Sequence, residues 1–84
     1  MKLVYFSWIR ERIGLTEETV ALPTGVESVG DLIDWLRGRD ETYALALEHD
    51  AMVRVALDHV HADDRDAPLA NVREVALFPP MTGG

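Results

Sequence analysis

An α+β roll of the β-grasp type, a mixed sheet packed against one main helix, is the fold that this 84-residue sequence predicts. Three observations carry the prediction. A short apolar run rich in strand formers opens the chain, one clearly amphipathic helix follows, and strand-like runs fill the remainder, an order that suits helices gathered on one face of a sheet. Eighty-four residues make one small domain, which buries roughly 60–65% of the surface its unfolded chain exposes. Two separate cores do not fit.

Lys2-Leu3-Val4-Tyr5-Phe6 reads as the first strand, apolar enough to sit centrally with both faces covered. Ser7 through Ile13 then places Trp8, Ile9, Arg12 and Ile13 at roughly helical spacing, and Gly14 closes this turn. Thr19-Val20-Ala21-Leu22 reads as a second strand, stopped by the turn-forming Pro23-Thr24-Gly25. The main helix begins after Ser28, whose hydroxyl suits a cap, with Asp31 completing a capping box. Its buried face is Val29, Leu32, Ile33 and Leu36, spaced i, i+3, i+4 and i+7. Gly30 weakens this helix by about 1 kcal/mol relative to alanine, and Gly38 is its natural stop.

A shorter helix is expected over Tyr43–Glu48, where alanine and leucine alternate. Val53, Val55 and Leu57 then alternate with Arg54, Ala56 and Asp58, as in a strand buried on one side. Another short strand is expected at Val60, a polar loop at Asp63–Ala67, and the last strand at Glu74–Phe78. Pro79-Pro80 cannot continue a ladder and favours the extended polyproline form, in which residues 79–84 reach up to roughly 19 Å at about 3.1 Å per residue.

Composition narrows the function classes. Hydrophobic residues at 48% and charged residues at 27% describe an ordinary globule rather than a disordered chain. Fifteen acidic against eight basic side chains give a formal charge of −7, which opposes contact with phosphate backbones and anionic lipid and favours a basic protein surface. Neither nucleic acid nor membrane is expected as a partner. With no cysteine, disulfide frameworks and thiol catalysis are excluded. The apolar start, Leu3–Ile9, runs at once into Arg10-Glu11-Arg12, too short for a membrane span and without a cleavage site, so a cytoplasmic protein is expected.

The last two residues are Gly83-Gly84. Without Cβ atoms they form a thin tail that can thread into another protein's active site and present its terminal carboxylate there. Phe78-Pro79-Pro80-Met81-Thr82-Gly83-Gly84 resembles the end of the sulfur-carrier (small) subunits of molybdopterin synthase, a family of ubiquitin-like proteins. Arg10-Glu11-Arg12-Ile13-Gly14 and Ala44-Leu45-Ala46-Leu47-Glu48 resemble further stretches of the same family, so the likeness spans essentially the whole chain. The Gly-Gly end is shared with ubiquitin and with carriers for thiazole and cysteine synthesis; the Phe-Pro-Pro lead-in points to the molybdopterin branch. Met81 and the histidine-bearing hairpin Asp58–His61 depart from the family pattern, but neither removes a residue the tail chemistry needs.

The resemblance implies a ubiquitin-like domain over residues 1–78 and a reactive tail over 79–84. It implies that an adenylating enzyme uses ATP and magnesium to convert Gly84 to an acyl-adenylate, and that a sulfur donor displaces AMP to leave a thiocarboxylate. No permanently bound cofactor is implied. The sulfur would then pass to a cyclic pyranopterin monophosphate held by the large, catalytic subunit of the synthase. Gly83 would let the tail pass a narrow channel, Thr82 and Met81 would set its register, and Pro79 and Pro80 would stiffen it or simply end the strand. A stiffened tail loses less entropy on insertion. Phe78 alternates with Leu77, so one of them faces the helix and the other is available to a partner. Arg10 matches the family motif, and its fork of donors suits a carboxylate on a partner or on its own helix.

Rival readings rest on thinner patterns. His59, His61 and Asp63 alternate as metal ligands on one strand face would, but a turn near residues 58–59 would separate them, and a solvated hairpin is the expectation. Asp63, Asp64 and Asp66 lack the glycine and terminal glutamate of a calcium loop. No order of Ser, His and Asp, no glycine-rich phosphate loop and no zinc-protease motif occurs, so an independent enzyme is not expected. The alternative from another class is a ubiquitin-like module that binds through its sheet and is never activated.

Overall fold

The first strand lies at the heart of the molecule because its sequence is apolar on both sides. In the computed structural model, which describes residues 1–80, β1 (Lys2–Tyr5) pairs on one side with β2 (Glu17–Thr19) and on the other with β5 (Glu74–Phe78). β3 (Arg54–Leu57) and β4 (Val60–His61) complete a five-stranded sheet in the order β2-β1-β5-β3-β4. The β1–β5 pair is parallel and the other three pairs are antiparallel, which makes the sheet mixed as expected.

Among the described residues the α-helices are α1 (Ser7–Ile13), α2 (Val29–Arg37) and α3 (Glu41–Ala46), and a single 3-10 turn, Asp50–Met52, leads into β3. The α2 cap is built as its sequence predicts. Asp31 N–H donates to Ser28 Oγ at 3.2 Å, and Ser28 N–H donates back to Asp31 Oδ2 at 3.2 Å. Val29, Leu32, Ile33 and Leu36 are all buried, against a core that includes Leu3, Tyr5, Val55, Val75 and Leu77. Gly14 ends α1 with φ +87°, the left-handed cap that glycine adopts without strain.

The first strand ends at Tyr5 rather than Phe6, which instead precedes α1, and two further elements depart more from the sequence expectation. The second strand is Glu17–Thr19, not Thr19–Leu22, because Leu3 opposes Glu18 and Val4 opposes Glu17 in the β1–β2 register. Val20 exchanges backbone hydrogen bonds with Met1 just past the strand, and Val20 and Leu22 pack against the core. The third helix starts two residues early, at Glu41 rather than Tyr43, because the Asp40 carboxylate accepts from Tyr43 N–H at 3.1 Å and caps it. The helix then ends at Ala46, short of Glu48.

The β3–β4 connection turns on Asp58 and His59, both with positive φ (47° and 73°), as a two-residue hairpin requires. Asp58 also holds the neighbouring strand. Its Oδ1 accepts from Arg73 N–H at 3.0 Å and Glu74 N–H at 2.9 Å, fixing the entry to β5.

Candidate functional site

One face of the sheet carries the helices, and strand alternation gives the other face its own residues. Leu77 is fully buried beneath the helices, so Phe78, its neighbour in β5, points to the opposite face. There Ala76 stands opposite Ala56 of β3 and Val4 of β1. Three small side chains at the centre of a sheet leave a depression, and larger side chains rim it. Phe6 and Trp8 lie on one margin, Met52 and His61 on another, with Phe78, Pro79 and Pro80 at the exit of the chain. The groove holds about 720 Å³ and its lining is mostly apolar. Phe6 is 46% exposed and Met52 42%, and because both line the same groove their apolar surface is contiguous there, as at interaction sites.

Polar groups edge the groove. The His61 ring packs against that of Phe78 in a tilted arrangement with centroids 5.2 Å apart, while His59 Nε2 lies 3.6 Å from Glu74 Oε2. The two histidines therefore serve different neighbours. Among the described residues, no group of three or more histidines and carboxylates is placed to hold a metal ion. Arg54 stands opposite Phe78 across the β3–β5 ladder, on the same face.

Of the predicted site residues, the structure brings Phe78, Pro79 and Pro80 together in the groove lining. Arg10 is exposed on α1 and does not line the groove. Its side chain makes no ion pair among the described residues, so the alternative of a partner on its own helix is not realised. Met81, Thr82, Gly83 and Gly84 lie outside the described residues. Sequence reasoning missed Phe6, Trp8, Met52, Ala56 and Ala76 as parts of one surface. The detectable signal was the alternation of Glu74, Ala76 and Phe78 along the last strand.

A second polar cluster lies on the helix side. Glu18 Oε2 accepts from the Tyr5 hydroxyl at 2.7 Å and the Tyr43 hydroxyl at 2.6 Å, and Arg39 Nη1 donates to Glu18 Oε1 at 3.0 Å. Arg39 also stacks over the rings of Trp35 and Tyr43, at 5.1 and 4.7 Å. Burial opposes ionisation of Glu18, but hydrogen bonds from Tyr43, Tyr5 and Arg39 outweigh it and hold the carboxyl below its ordinary value. Burial, and then the hydrogen bond to Glu18, pushes the Tyr43 phenol up to about 12 and the Tyr5 phenol further still. At neutral pH the cluster is a carboxylate clamped by two neutral phenols and a guanidinium. Among the described residues no buried side-chain polar atom is left without a partner, and the cluster is a structural joint between β2, β1 and α3.

A mixed five-stranded sheet with helices on one face and an apolar groove where the last strand exits defines a ubiquitin-like β-grasp protein. The chain belongs to the ThiS family, whose model matches residues 3–84. It is 35% identical to the molybdopterin synthase sulfur carrier subunit of Escherichia coli K12, over 100% of this chain and 99% of that protein. Among solved structures it is similar to SAMP1 from Haloferax volcanii, with TM-score 0.72 and 28% identity over 100% of this chain and 98% of the other. A Pyrococcus furiosus chain described as a molybdopterin converting factor, subunit 1, matches with TM-score 0.71 and 27% identity over 95% of both chains. No described helix is long and apolar enough to cross a membrane.

Proposed function

We propose that this chain is the sulfur-carrier subunit of a molybdopterin synthase. The observation that carries the reading is the continuity of the apolar groove with Pro79 and Pro80, the residues from which the Gly-Gly tail departs. A partner that covers the groove also meets Pro79 and Pro80, the residues that precede the Gly-Gly end. Full-length similarity to a sulfur carrier subunit supports this reading of the tail.

A carboxylate is a poor acyl donor, because its charge is delocalised and oxide is a poor leaving group. An adenylating enzyme therefore transfers AMP from ATP, with magnesium, to the Gly84 carboxylate and releases pyrophosphate. A sulfur donor attacks the acyl carbon and expels AMP, leaving a thiocarboxylate. Its sulfur is softer and more nucleophilic than oxygen. The large, catalytic subunit then presents a cyclic pyranopterin monophosphate, and two carriers each deliver one sulfur to complete the dithiolene. In this scheme Gly83 gives clearance in the channel, Thr82 and Met81 fix register, and Phe78 and Arg10 meet the partner. The chain contributes the cargo and the docking face; acid and base groups come from the large subunit.

Incubation with an adenylating enzyme, ATP, magnesium and a sulfur donor is expected to raise the intact mass by the difference between sulfur and oxygen. An unchanged mass would favour a binding module without sulfur chemistry. One further reading is a carrier with the same tail chemistry that feeds thiazole or cysteine synthesis. Offering the thiocarboxylated chain to each acceptor in turn separates these, since only one pathway consumes the sulfur.

A further inference from the structure

Of the eight basic side chains in this sequence, seven are arginine and one, Lys2, is lysine. Lysine is among the commonest residues of soluble domains, so the imbalance asks for a cause. Geometry supplies one at four positions. Arg37 Nε donates to Leu47 O at 2.7 Å, Arg65 Nη2 donates to Val53 O at 2.7 Å, Arg39 bonds Glu18, and Arg12 stacks over Trp8 at 4.7 Å. Each uses the planar, multi-donor guanidinium.

Arg10, Arg54 and Arg73 are different. All three are exposed, and among the described residues their side chains make no hydrogen bond or ion pair. Arg10 is set aside for the partner contact proposed above; at Arg54 and Arg73 the chain itself uses no more than a positive charge, which lysine supplies equally. What lysine adds is an amine, which is a nucleophile once deprotonated, whereas a guanidinium stays protonated.

We infer that the chain is an acyl donor whose own surface is kept poor in acyl acceptors, so that its activated C terminus survives encounters with other copies of itself. The inference rests on the activation proposed above. In the side reaction avoided, an amine nitrogen attacks the terminal carbonyl carbon of an acyl-adenylate. The C–N bond forms, the C–O bond to phosphate breaks, AMP leaves with the electron pair, and the amine proton passes to solvent. Hydrolysis merely restores the carboxylate, but this amide is a dead end that removes two carriers at once. The fold guards the exceptions. Lys2 Nζ lies 3.5 Å from Glu17 Oε2 and 3.7 Å from Glu74 Oε1, and the Met1 amine donates to Val20 O at 3.0 Å. An incoming acyl group must displace these contacts.

The test uses the full chain prepared chemically as a C-terminal thioester. It needs no adenylating enzyme, so its outcome is independent of whether adenylation occurs, which the mass measurement above decides separately. The thioester is held at high concentration and mildly alkaline pH, and covalent dimers are counted by intact mass and mapped by peptide mass spectrometry. The original chain is expected to decay mainly by hydrolysis. The R54K/R73K variant is expected to form dimers several-fold faster, joined at the substituted positions, and Glu17→Gln is expected to raise conjugation at Lys2. Equal dimer formation in the original and doubly substituted chains would overturn the inference, as would conjugation at Lys2 of the original chain matching the variant's rate.

Discussion

The Tyr43 hydroxyl, on α3, donates to Glu18 Oε2 of β2 at 2.6 Å across 25 residues of sequence. Tyr5 donates to the same oxygen, so a single carboxylate joins the sheet to the third helix. Because the folded-state pKa of Glu18 lies below its unfolded value, the cluster's stabilisation is present above the unfolded pKa and is lost as pH falls through the folded one. Glu18→Ala is expected to cost about 2–3 kcal/mol at pH 7, since two phenols and a guanidinium lose a charged acceptor. Glu18→Gln is expected to cost less and to flatten the acid side of the stability profile. Urea unfolding at a series of pH values checks both; an unchanged slope below pH 5 in the glutamine variant would show that Glu18 does not couple to folding.

Why the sequence concealed this joint is instructive. Thr19-Val20-Ala21-Leu22 reads as the strand, since isolated apolarity favours it over the two glutamates before it. Pairing decided otherwise, because Glu18 turns inward only where Tyr5 and Tyr43 can receive it, and those partners come from distant segments. By contrast α2 was legible in full: its cap, its acidic partner and its buried stripe lie within nine consecutive positions, Ser28 to Leu36. The groove sits between these extremes. Phe78 was visible from its alternation with Leu77, but Phe6, Trp8, Ala56 and Met52 join it only through strand order, which no local pattern encodes.

Gly30 is one of the places where a local cost has a tertiary cause. Its N–H donates to Arg65 O at 2.8 Å, and a Cβ there would meet that same oxygen at 3.2 Å. Arg65 is itself tied to the start of β3 through Val53 O, so its backbone has little room to retreat. Gly30→Ala is therefore expected to forfeit the roughly 1 kcal/mol of helix propensity it would otherwise gain and to destabilise the fold by about 1 kcal/mol net. Thermal unfolding measures this. A higher melting temperature in the alanine variant would mean that the loop yields freely.

The groove can be tested apart from the tail. Ala76 forms part of its floor, and a longer polar side chain there fills the depression while leaving β5 paired on both sides. Ala76→Gln is expected to change stability by less than about 1 kcal/mol, because the site faces outward. Binding to a large subunit is expected to weaken by at least about 2 kcal/mol, roughly 30-fold in Kd, as when an interface centre loses its packing. Titration calorimetry with the tail intact reads the difference. Undiminished affinity would place the docking face elsewhere on the molecule.

The reactive end makes the sharpest demand. On the proposed scheme, sulfur transfer through an acyl-adenylate needs a free carboxylate on Gly84, delivered through a passage too narrow for a side chain. Adding one residue after Gly84 moves that carboxylate by up to about 3.5 Å, and misplacement by about 1 Å already costs on the order of 100-fold in rate. Replacing Gly84 by a bulky residue leaves the carboxylate in place but adds a Cβ and its substituents. Neither change touches the core formed by Leu3, Val75, Leu77 and the α2 stripe, so the melting temperature is expected to stay within the error of the original chain. Thiocarboxylate formation, followed by intact mass, is expected to fall below detection in both variants. Full activity in either would mean that the terminal carbonyl is not where the sulfur is carried.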